Sequence, residues 1–300
     1  MNRALQLDGA LRSFFLHCAP PANFEMIVIY RATHARDAQQ YRRLADEYAA
    51  RRVGFCAQTD FRRDVLAPLM QFAHGARVPW GNRLALASPW LGRCDLLSPA
   101  IRPAACVLFL VDDNLFTRNF DLETAQAALL AQPTALGFSL RLGRNTQFCY
   151  PLDRPQTPPA FQPIGNGIAR FDWRAGDGDF GYPLEVSSSL YRLREVLPIL
   201  NRCAFHNPNV LEERLAARAR AAQTRLPNLL CFETSVTFCN PANKVQTHQP
   251  NRASTRADYT SENLAQLFEA GYRLDVSAFA NLTPNACHQE VELVFEKRPG

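Results

Sequence analysis

The sequence lacks the patterns that would place it in a membrane or on a disulfide or zinc scaffold. No apolar run approaches the roughly 20 residues that a membrane span requires, and residues 1–8 carry no signal-peptide pattern. Nine cysteines occur without a Cys-x-x-Cys pair, and the odd count leaves one unpaired if the others were bridged. These absences predict reduced thiols and a cytoplasmic protein without a transmembrane segment, with peripheral contact to the inner face of a membrane as the alternative.

The charge of the chain is modest and evenly spread. The net charge is +5, and the arginines are scattered rather than interleaved with aromatic residues. Neither feature is typical of a nucleic-acid groove, so we predict no nucleic-acid partner and favour a small anionic substrate. The densest basic stretch, residues 214–225, follows a helical pattern and indicates a solvated face, with contact to anionic lipid as the alternative.

Helical and strand-like patterns alternate in the first half of the chain. This alternation is typical of an α/β protein with a mixed, mostly parallel sheet flanked by helices. At 300 residues and 47% hydrophobic composition, the chain can bury one large core. We predict a single domain over residues 1–300, with a nucleotide-binding half at 1–143 and an acceptor-side half at 144–300. Helices are predicted at residues 3–18, 35–50, 60–72 and 122–131, and strands at 26–30, 53–56, 106–111 and 135–142.

Two features of the pattern are unusual. A doubly wound sheet normally opens with a strand, but this chain enters a helix directly. We therefore expect the first strand to be missing, either because the sequence begins late or because the slot beside residues 26–30 is empty. Residues 144–183 contain four prolines between 151 and 159 and then repeated glycines, which predicts a long loop, with a lid over the site as one interpretation.

The remainder of the second half returns to regular patterns. Asn207 and Pro208 predict a helix that runs to about residue 222, because Asn is a favoured N-cap and Pro fits the first helical position. Gly271 is expected to close a further helix that begins near residue 261. Strands are predicted within residues 184–191, 229–238 and 290–296.

The strongest chemical signal is a pair of carboxylates after an apolar strand. Five apolar residues, 107–111, lead into Asp112 and Asp113, which would be costly to bury without a cation or hydrogen-bond donors. At the carboxyl edge of an open α/β sheet, a divalent metal that bridges a diphosphate would supply that charge. Capping of a loop by the two side chains is the alternative interpretation.

The sequence Asp112-Asp113-Asn114, with the strand-helix alternation before it, resembles GT-A-fold nucleotide-sugar glycosyltransferases, particularly those of family 2. The segment Asn2 to Ser13 is similar to the one after that family's first strand, where an Asn-Arg pair introduces the first helix. The resemblance implies a GT-A-like, Rossmann-like fold. It also implies transfer of a sugar from a nucleotide-sugar donor to the hydroxyl of a carbohydrate or other acceptor, assisted by Mn²⁺ or Mg²⁺.

The resemblance also implies roles for individual residues. Asp113 corresponds to the metal ligand and Asp112 to the nucleotide contact. Tyr30 and Arg31 stand where the family's second strand usually ends in an acidic residue that contacts the nucleoside, so we consider them as nucleotide-binding candidates. His288 precedes the last predicted strand, and some GT-A enzymes use a late histidine as a further metal ligand.

A catalytic base must also be found, since inverting transfer needs a carboxylate that takes the proton of the acceptor hydroxyl. The family places it near the start of a helix, and Glu212 is our candidate there. In the alternative interpretation, Glu212 and its neighbour Glu213 only favour the helix dipole or pair with arginines.

Three further residues are candidates for contacts with a sugar. Asp177 and Asp179 lie in a glycine-rich segment, where the backbone can approach a ligand closely, but Asp-Gly is also ordinary turn chemistry. Trp173 could stack on a sugar face, and packing in the core is the alternative.

Two other functions are considered beside glycosyl transfer. A nucleotidyltransferase also uses acidic strand ends and Mg²⁺, but no glycine-rich phosphate loop follows an initial strand. A degenerate nucleotide- or sugar-binding module without turnover would fit the missing first strand and Asn114. A phosphatase of the Asp-x-Asp-x-Thr type is excluded, because Asn114 and Phe116 stand where the second Asp and the Thr are needed.

Overall fold

The structure is a computed structural model that describes residues 1–74, 101–102, 105–243 and 257–299, together with Leu86. In this part of the chain, helices and strands are mixed along the sequence. The helices are α1 (Ala4–His17), α2 (Ala35–Tyr48), α3 (Phe61–His74), α4 (Leu122–Ala131), α5 (Leu193–Arg202), α6 (Pro208–Ala222) and α7 (Ser261–Glu269). The strands are β1 (Met26–Tyr30), β2 (Val53–Ala57), β3 (Cys106–Leu108), β4 (Asn114–Phe116), β5 (Ala135–Ser139), β6 (Phe148–Cys149), β7 (Arg154–Pro155), β8 (Gln162–Gly165), β9 (Ile168–Asp172), β10 (Ser189–Arg192), β11 (Asn228–Phe232), β12 (Thr237–Cys239), β13 (Tyr272–Leu274) and β14 (Phe295–Lys297).

The helix ends predicted at Asn207 and Gly271 are confirmed, because capping depends on residues that are neighbours in the sequence. The side chain of Asn207 accepts a hydrogen bond from the Val210 amide at 2.9 Å, so α6 begins at Pro208 as predicted. Gly271 follows α7 with a left-handed φ of 79°, which a glycine adopts at little cost.

The main sheet has six strands in the order β3-β10-β5-β11-β9-β8. Only the β5–β11 pair is parallel; the other four pairs are antiparallel. The mixed α/β class is thus confirmed, but the prediction of a mostly parallel sheet is wrong for this sheet. An apolar run indicates that a strand is buried, whereas the direction of its neighbour is set by connections that the run does not encode.

A separate parallel pair, β1–β2, holds the first two strands that the sequence predicted. Among the described residues, β1 pairs with β2 alone and β3 pairs with β10 alone. The residues of β3 are half-buried rather than fully buried, and Ile27 in β1 is 45% exposed. These two strands therefore do not lie in the middle of a continuous sheet.

The segment 144–183, predicted as a long loop, contains four strands. β8 and β9 form a hairpin in which β8 is the outermost strand of the main sheet. The two strands are joined at Gly165, Asn166 and Gly167, all of which have positive φ. Asn and Gly favour this left-handed backbone in hairpin turns. The prediction of an irregular loop was wrong because prolines and glycines were interpreted as loop formers and the Gly-Asn-Gly turn was missed.

The core does not divide at residue 143. One hydrophobic cluster joins Leu5 of α1 and Leu44 of α2 to Phe268 of α7. A second joins Leu66 of α3 to Leu197 of α5 and to other residues of the second half. Residues of both predicted halves therefore share the same clusters, and the single domain over residues 1–300 stays a prediction.

Arg192 connects the main sheet to the helix beside it. Its buried guanidinium donates to the carbonyl oxygens of Leu129 at 2.6 Å and Gln132 at 3.2 Å, and also to that of Ala135. These carbonyls lie at the end of α4 and at the start of β5; those of Leu129 and Gln132 also accept backbone amides at 3.4 and 3.0 Å, and Arg192 adds a charged donor to each. We expect Arg192→Met to lower the free energy of unfolding by about 2–3 kcal/mol, because three buried carbonyls lose a charged donor.

Denaturant unfolding would measure this change, with Arg194→Met as the matched control. Arg194 is exposed, and its substitution is expected to change the free energy by no more than about 0.5 kcal/mol. Equal effects of the two substitutions would contradict the capping role of Arg192.

Candidate functional site

Polar residues gather at one edge of the main sheet. β3 and β5 are both antiparallel to β10, and β11 is parallel to β5, so the carboxyl ends of β3, β5 and β11 lie at the same edge. The chain also enters β10 from this edge. Asp112 and Asp113 follow β3, Arg141 follows β5, and Glu185 precedes β10. The topology therefore brings together charged residues that are far apart in sequence.

The two aspartates lie in a turn between β3 and β4. The Asn114 side-chain oxygen accepts a hydrogen bond from the Val111 amide at 2.8 Å, and the Asn114 backbone amide donates to the Val111 carbonyl at 3.2 Å. The Asn114 side-chain amide also donates to the sulfur of Cys239. Asn114 thus holds the turn, and its side-chain amide donates to Cys239, which the acid common at this position in the resembled family could not do.

Arg3 pairs with both aspartates. Its Nη1 atom lies 2.6 Å from Asp112 Oδ1, and its Nη2 atom contacts Asp113 Oδ1. The Arg3 side chain is 6% exposed, while those of the aspartates are 24% and 23% exposed. Burial raises the pKa of Asp113, and Arg3 opposes that rise. We call these three residues the Asp112 corner.

A second charged group surrounds Arg141, which is buried. Arg141 Nε lies 3.8 Å from Glu185 Oε1, and Asp179 and Glu212 are close enough for their charges to interact with its guanidinium. Burial opposes the charge of Arg141, but Glu185 and the other acidic groups outweigh it and hold the pKa of Arg141 above its ordinary value. We call Arg141, Asp179, Glu185 and Glu212 the Arg141 cluster.

Glu212 projects from the first turns of α6 into this cluster. Its Oε2 atom accepts a hydrogen bond from the Val186 amide at 3.2 Å, and the Tyr182 hydroxyl also donates to its carboxylate. Burial raises the pKa of Glu212, whereas Arg141 lowers it. A carboxylate with a raised pKa, held by two donors at a sheet edge, has the properties of a general base.

Glu185 is held more tightly than Glu212. It accepts hydrogen bonds from the Ser188 amide at 3.2 Å, from the amide and hydroxyl of Ser187, and from the hydroxyl of Ser189. The preceding Leu184 has a left-handed φ of 62°, which is strained for a leucine. Four donors leave Glu185 little freedom to accept a proton from a substrate, so it fixes Arg141 instead.

The Asp112 corner and the Arg141 cluster lie on either side of Cys239. The Asn240 amide donates to the Asp113 carbonyl at 2.8 Å, and the Cys239 amide donates to the Cys287 carbonyl at 2.9 Å. The charges of Arg141, Asp113 and Glu185 all act on the Cys239 thiol. The two groups are therefore neighbours in one site.

His288 lies beside Cys239 in this site. Burial lowers the pKa of His288 to about 3, and its Nδ1 atom has no hydrogen-bond partner among the described residues. The imidazole is therefore neutral at physiological pH, which is the state that a metal ligand requires.

Several candidates from the sequence lie outside these two groups. Asp177 is exposed and pairs with Arg154 through two contacts of 2.6 and 2.9 Å, so it fixes a surface turn. Trp173 is 4% exposed and donates its ring N–H to the Leu226 carbonyl at 2.8 Å. Its ring packs in the core, and its contact with a sugar stays a prediction. Asp179, in contrast, belongs to the Arg141 cluster.

The two candidates after β1 differ in their surroundings. The ring of Tyr30 stacks on that of Tyr41 at 4.3 Å between centroids, whereas Arg31 is exposed and its carbonyl accepts the Asn2 amide at 3.1 Å. Tyr41 in turn accepts a hydrogen bond from the Arg3 amide. Both candidates therefore lie close to the Asp112 corner, and their contact with a nucleotide stays a prediction.

Sequence reasoning missed Arg141, Glu185 and the pairing of Arg3 with Asp112. Arg141 follows an apolar strand just as Asp112 does, so the same argument about strand ends could have found it. Glu185 stands before three serines, which is a pattern of local donors. The pairing gave no local signal, because 109 positions separate Arg3 from Asp112.

The residues present do not fit a resident divalent metal. In the part of the chain that the structure describes, no group of three or more His, Cys, Asp or Glu side chains is placed to hold an ion. The two carboxylates of the Asp112 corner are already paired with Arg3. The assignment of Asp113 and His288 as metal ligands stays a prediction.

Comparison with known proteins gives one informative similarity. No protein-family model matches the chain. The chain is similar to the bifunctional glycosyltransferase pgtA of Dictyostelium discoideum, with 25% identity over 233 residues, which cover 70% of this chain and 26% of that protein. The chain thus spans about a quarter of the length of this curated relative. Among the described residues, no helix has the length and apolar character needed to cross a membrane.

Proposed function

We propose that this chain transfers a sugar from a nucleotide-sugar donor to an acceptor hydroxyl, with Glu212 as the general base. The observation that carries the proposal is the half-buried Glu212 carboxylate, which accepts the Val186 amide beside Arg141 at the end of the main sheet that also holds the Asp112 corner; desolvation raises its pKa. The similarity to a bifunctional glycosyltransferase supports the same class of reaction.

The proposed reaction is a single displacement. Glu212 takes the proton of the acceptor hydroxyl while the hydroxyl oxygen forms a bond to the anomeric carbon. The bond from that carbon to the diphosphate breaks, and the diphosphate leaves with the bonding electrons. Attack from the face opposite the leaving group inverts the configuration of the anomeric carbon.

The other residues of the site position these groups. Arg141 lies beside Glu212 and stabilises its ionised form, since it lowers the pKa that burial raises. In our proposal, the Asp112 corner faces the nucleotide part of the donor, with Tyr30 and Arg31 beside it. In the proposal, the buried Asp179 positions Arg141 through its charge and does not contact the sugar. No step of the proposal depends on Mn²⁺ or Mg²⁺.

A panel of nucleotide-sugar donors would test the proposal. We expect the full chain to release nucleoside diphosphate from at least one donor, and Glu212→Gln to lose that release while still binding the nucleoside diphosphate in calorimetric titration. Binding of a nucleoside diphosphate without turnover of any donor would indicate a binding module instead. The release of pyrophosphate from nucleoside triphosphates would indicate a nucleotidyltransferase.

The hydrogen bond from Tyr182 to Glu212 predicts a change in pH dependence. This bond favours the charged carboxylate, so its loss in Tyr182→Phe should raise the pKa of Glu212 further. A base must be deprotonated to act, and the acidic limb of the kcat/KM profile should therefore move to higher pH. Tyr150→Phe is the control, because the Tyr150 hydroxyl bonds to Glu290 instead. A limb that stays in place in Tyr182→Phe would argue against Glu212 as the base.

A further inference from the structure

Arg3 is a charged residue of the site to which the proposed reaction gives no role. Its guanidinium reaches two carboxylates at once, with Nη1 2.6 Å from Asp112 Oδ1 and Nη2 in contact with Asp113 Oδ1. A guanidinium is protonated at every pH at which proteins are folded. The sequence predicted that a cation must accompany the aspartate pair, and Arg3 supplies that positive charge from within the chain.

The backbone around Arg3 is held by residues after β1 and by one residue of α2. The Arg3 amide donates to the Tyr41 hydroxyl at 3.0 Å. The side chain of Asn2 donates to the Thr33 hydroxyl at 2.6 Å and accepts from the Thr33 amide at 3.0 Å. The Asn2-Arg3 pair thus joins the end of β1 to the turn after β3. The ion pair therefore involves an arginine whose backbone is held by hydrogen bonds.

A divalent metal would compete with this guanidinium for the same oxygens. Mg²⁺ usually keeps several waters and is held by only one or two protein carboxylates, so the number of aspartates would suffice, but both are already paired with Arg3. In a partly buried position, the repulsion between Arg3 and a divalent ion a few ångströms away exceeds thermal energy several-fold. A metal could bind to these aspartates only if Arg3 moved away, which would leave its buried side chain without a counter-ion.

We propose that Arg3 is the resident cation of the Asp112 corner and that the free protein therefore binds no divalent metal there. The proposal rests on the ion pair and is independent of sugar transfer. It makes Arg3 a positioning residue, which holds the two carboxylates toward the end of β1.

Titration with Mn²⁺, followed by the electron paramagnetic resonance signal of the free ion, tests the proposal on the full chain. We expect the unaltered protein to leave the signal of equimolar Mn²⁺ unchanged. Arg3→Gln should bind one equivalent at least about tenfold more tightly, because a positive charge is removed. Arg3→Gln combined with Asp113→Asn should lose that gain.

Two control variants test whether the gain in Mn²⁺ binding depends on the charge at position 3 or on the net charge of the protein. Arg3→Lys keeps the positive charge and should not gain Mn²⁺ binding. Arg12→Gln removes a charge from the same helix, but Arg12 pairs with Glu296 at 2.7 Å, and this variant should behave like the unaltered protein.

Binding of one equivalent of Mn²⁺ by the unaltered protein, abolished by Asp113→Asn, would overturn the proposal. Failure of a folded Arg3→Gln variant to gain any binding would overturn it as well, since Arg3 would then not be what excludes the metal. If Arg3→Gln does not fold, the comparison of the unaltered protein with Asp113→Asn still decides. Equally weak Mn²⁺ binding by the unaltered protein and by Asp113→Asn supports the proposal.

Discussion

Replacement of Glu212 by glutamine is expected to lower the rate of sugar transfer by about 100- to 10,000-fold, the usual contribution of a general base. Glutamine has nearly the same shape and can still accept the Val186 amide, so the loss would reflect the missing proton acceptor rather than a disturbed helix. The measurement is release of nucleoside diphosphate from the donor identified in the panel, at saturating donor concentration.

Glu213→Gln is the matched control for this substitution. Glu213 is the next residue of α6, but it is exposed and points away from the Arg141 cluster. Its substitution should leave the rate within about twofold, as expected for an exposed residue away from the site. Full activity of Glu212→Gln would remove Glu212 as the base, whatever the effect of Glu213→Gln.

The stability of Glu212→Gln tests whether the pKa of Glu212 is raised in the folded protein. Burial raises the pKa of Glu212 in the folded protein, so its charged form is less favourable there than in the unfolded chain. The stabilisation from protonated Glu212 is complete below the ordinary glutamate pKa and is lost as the pH rises through the folded-state pKa. The glutamine variant has no such loss, so its melting temperature relative to the unaltered protein should increase with pH.

Replacement of Arg141 by leucine is expected to destabilise the fold by about 3–5 kcal/mol, the range for breaking a buried ion pair by removing one partner. Arg141 is 3% exposed and is the positive charge shared by Glu185, Asp179 and Glu212. Without it, these carboxylates would be buried with no counter-ion. Unfolding in urea, monitored by circular dichroism, would give the change.

Arg144→Leu is the control for this loss, because Arg144 lies three residues further on but is exposed. Its side chain is 48% exposed, and its contact with Glu233 is 3.5 Å long. Such a surface pair is worth no more than about 1 kcal/mol. Addition of Glu185→Gln to Arg141→Leu should recover part of the lost stability, since one uncompensated charge is removed. An Arg141→Leu variant as stable as Arg144→Leu would contradict the central role of Arg141.

The sequence by itself determined the features that depend on neighbouring residues. α6 begins where Asn207 and Pro208 predicted, because an N-cap acts within three residues of its position. β1 and β2 lie where their apolar runs predicted. The candidate Asp112 was also found in this way, because an acidic pair after an apolar strand is visible in the local pattern. Glu212 was chosen because the resembled family has a carboxylate near the start of a helix.

Only the tertiary structure decided which of these residues share a site. The strand directions of the main sheet, the hairpin β8–β9 and the burial of Trp173 depend on contacts between segments far apart in the chain. The pairing of acidic side chains with arginines also depends on contacts between distant segments. Arg3 reaches Asp112 across 109 positions, and Arg141 reaches Glu185, because the topology brings their strands and helices to one edge. Electrostatic energy depends on distance in space, which the sequence does not give.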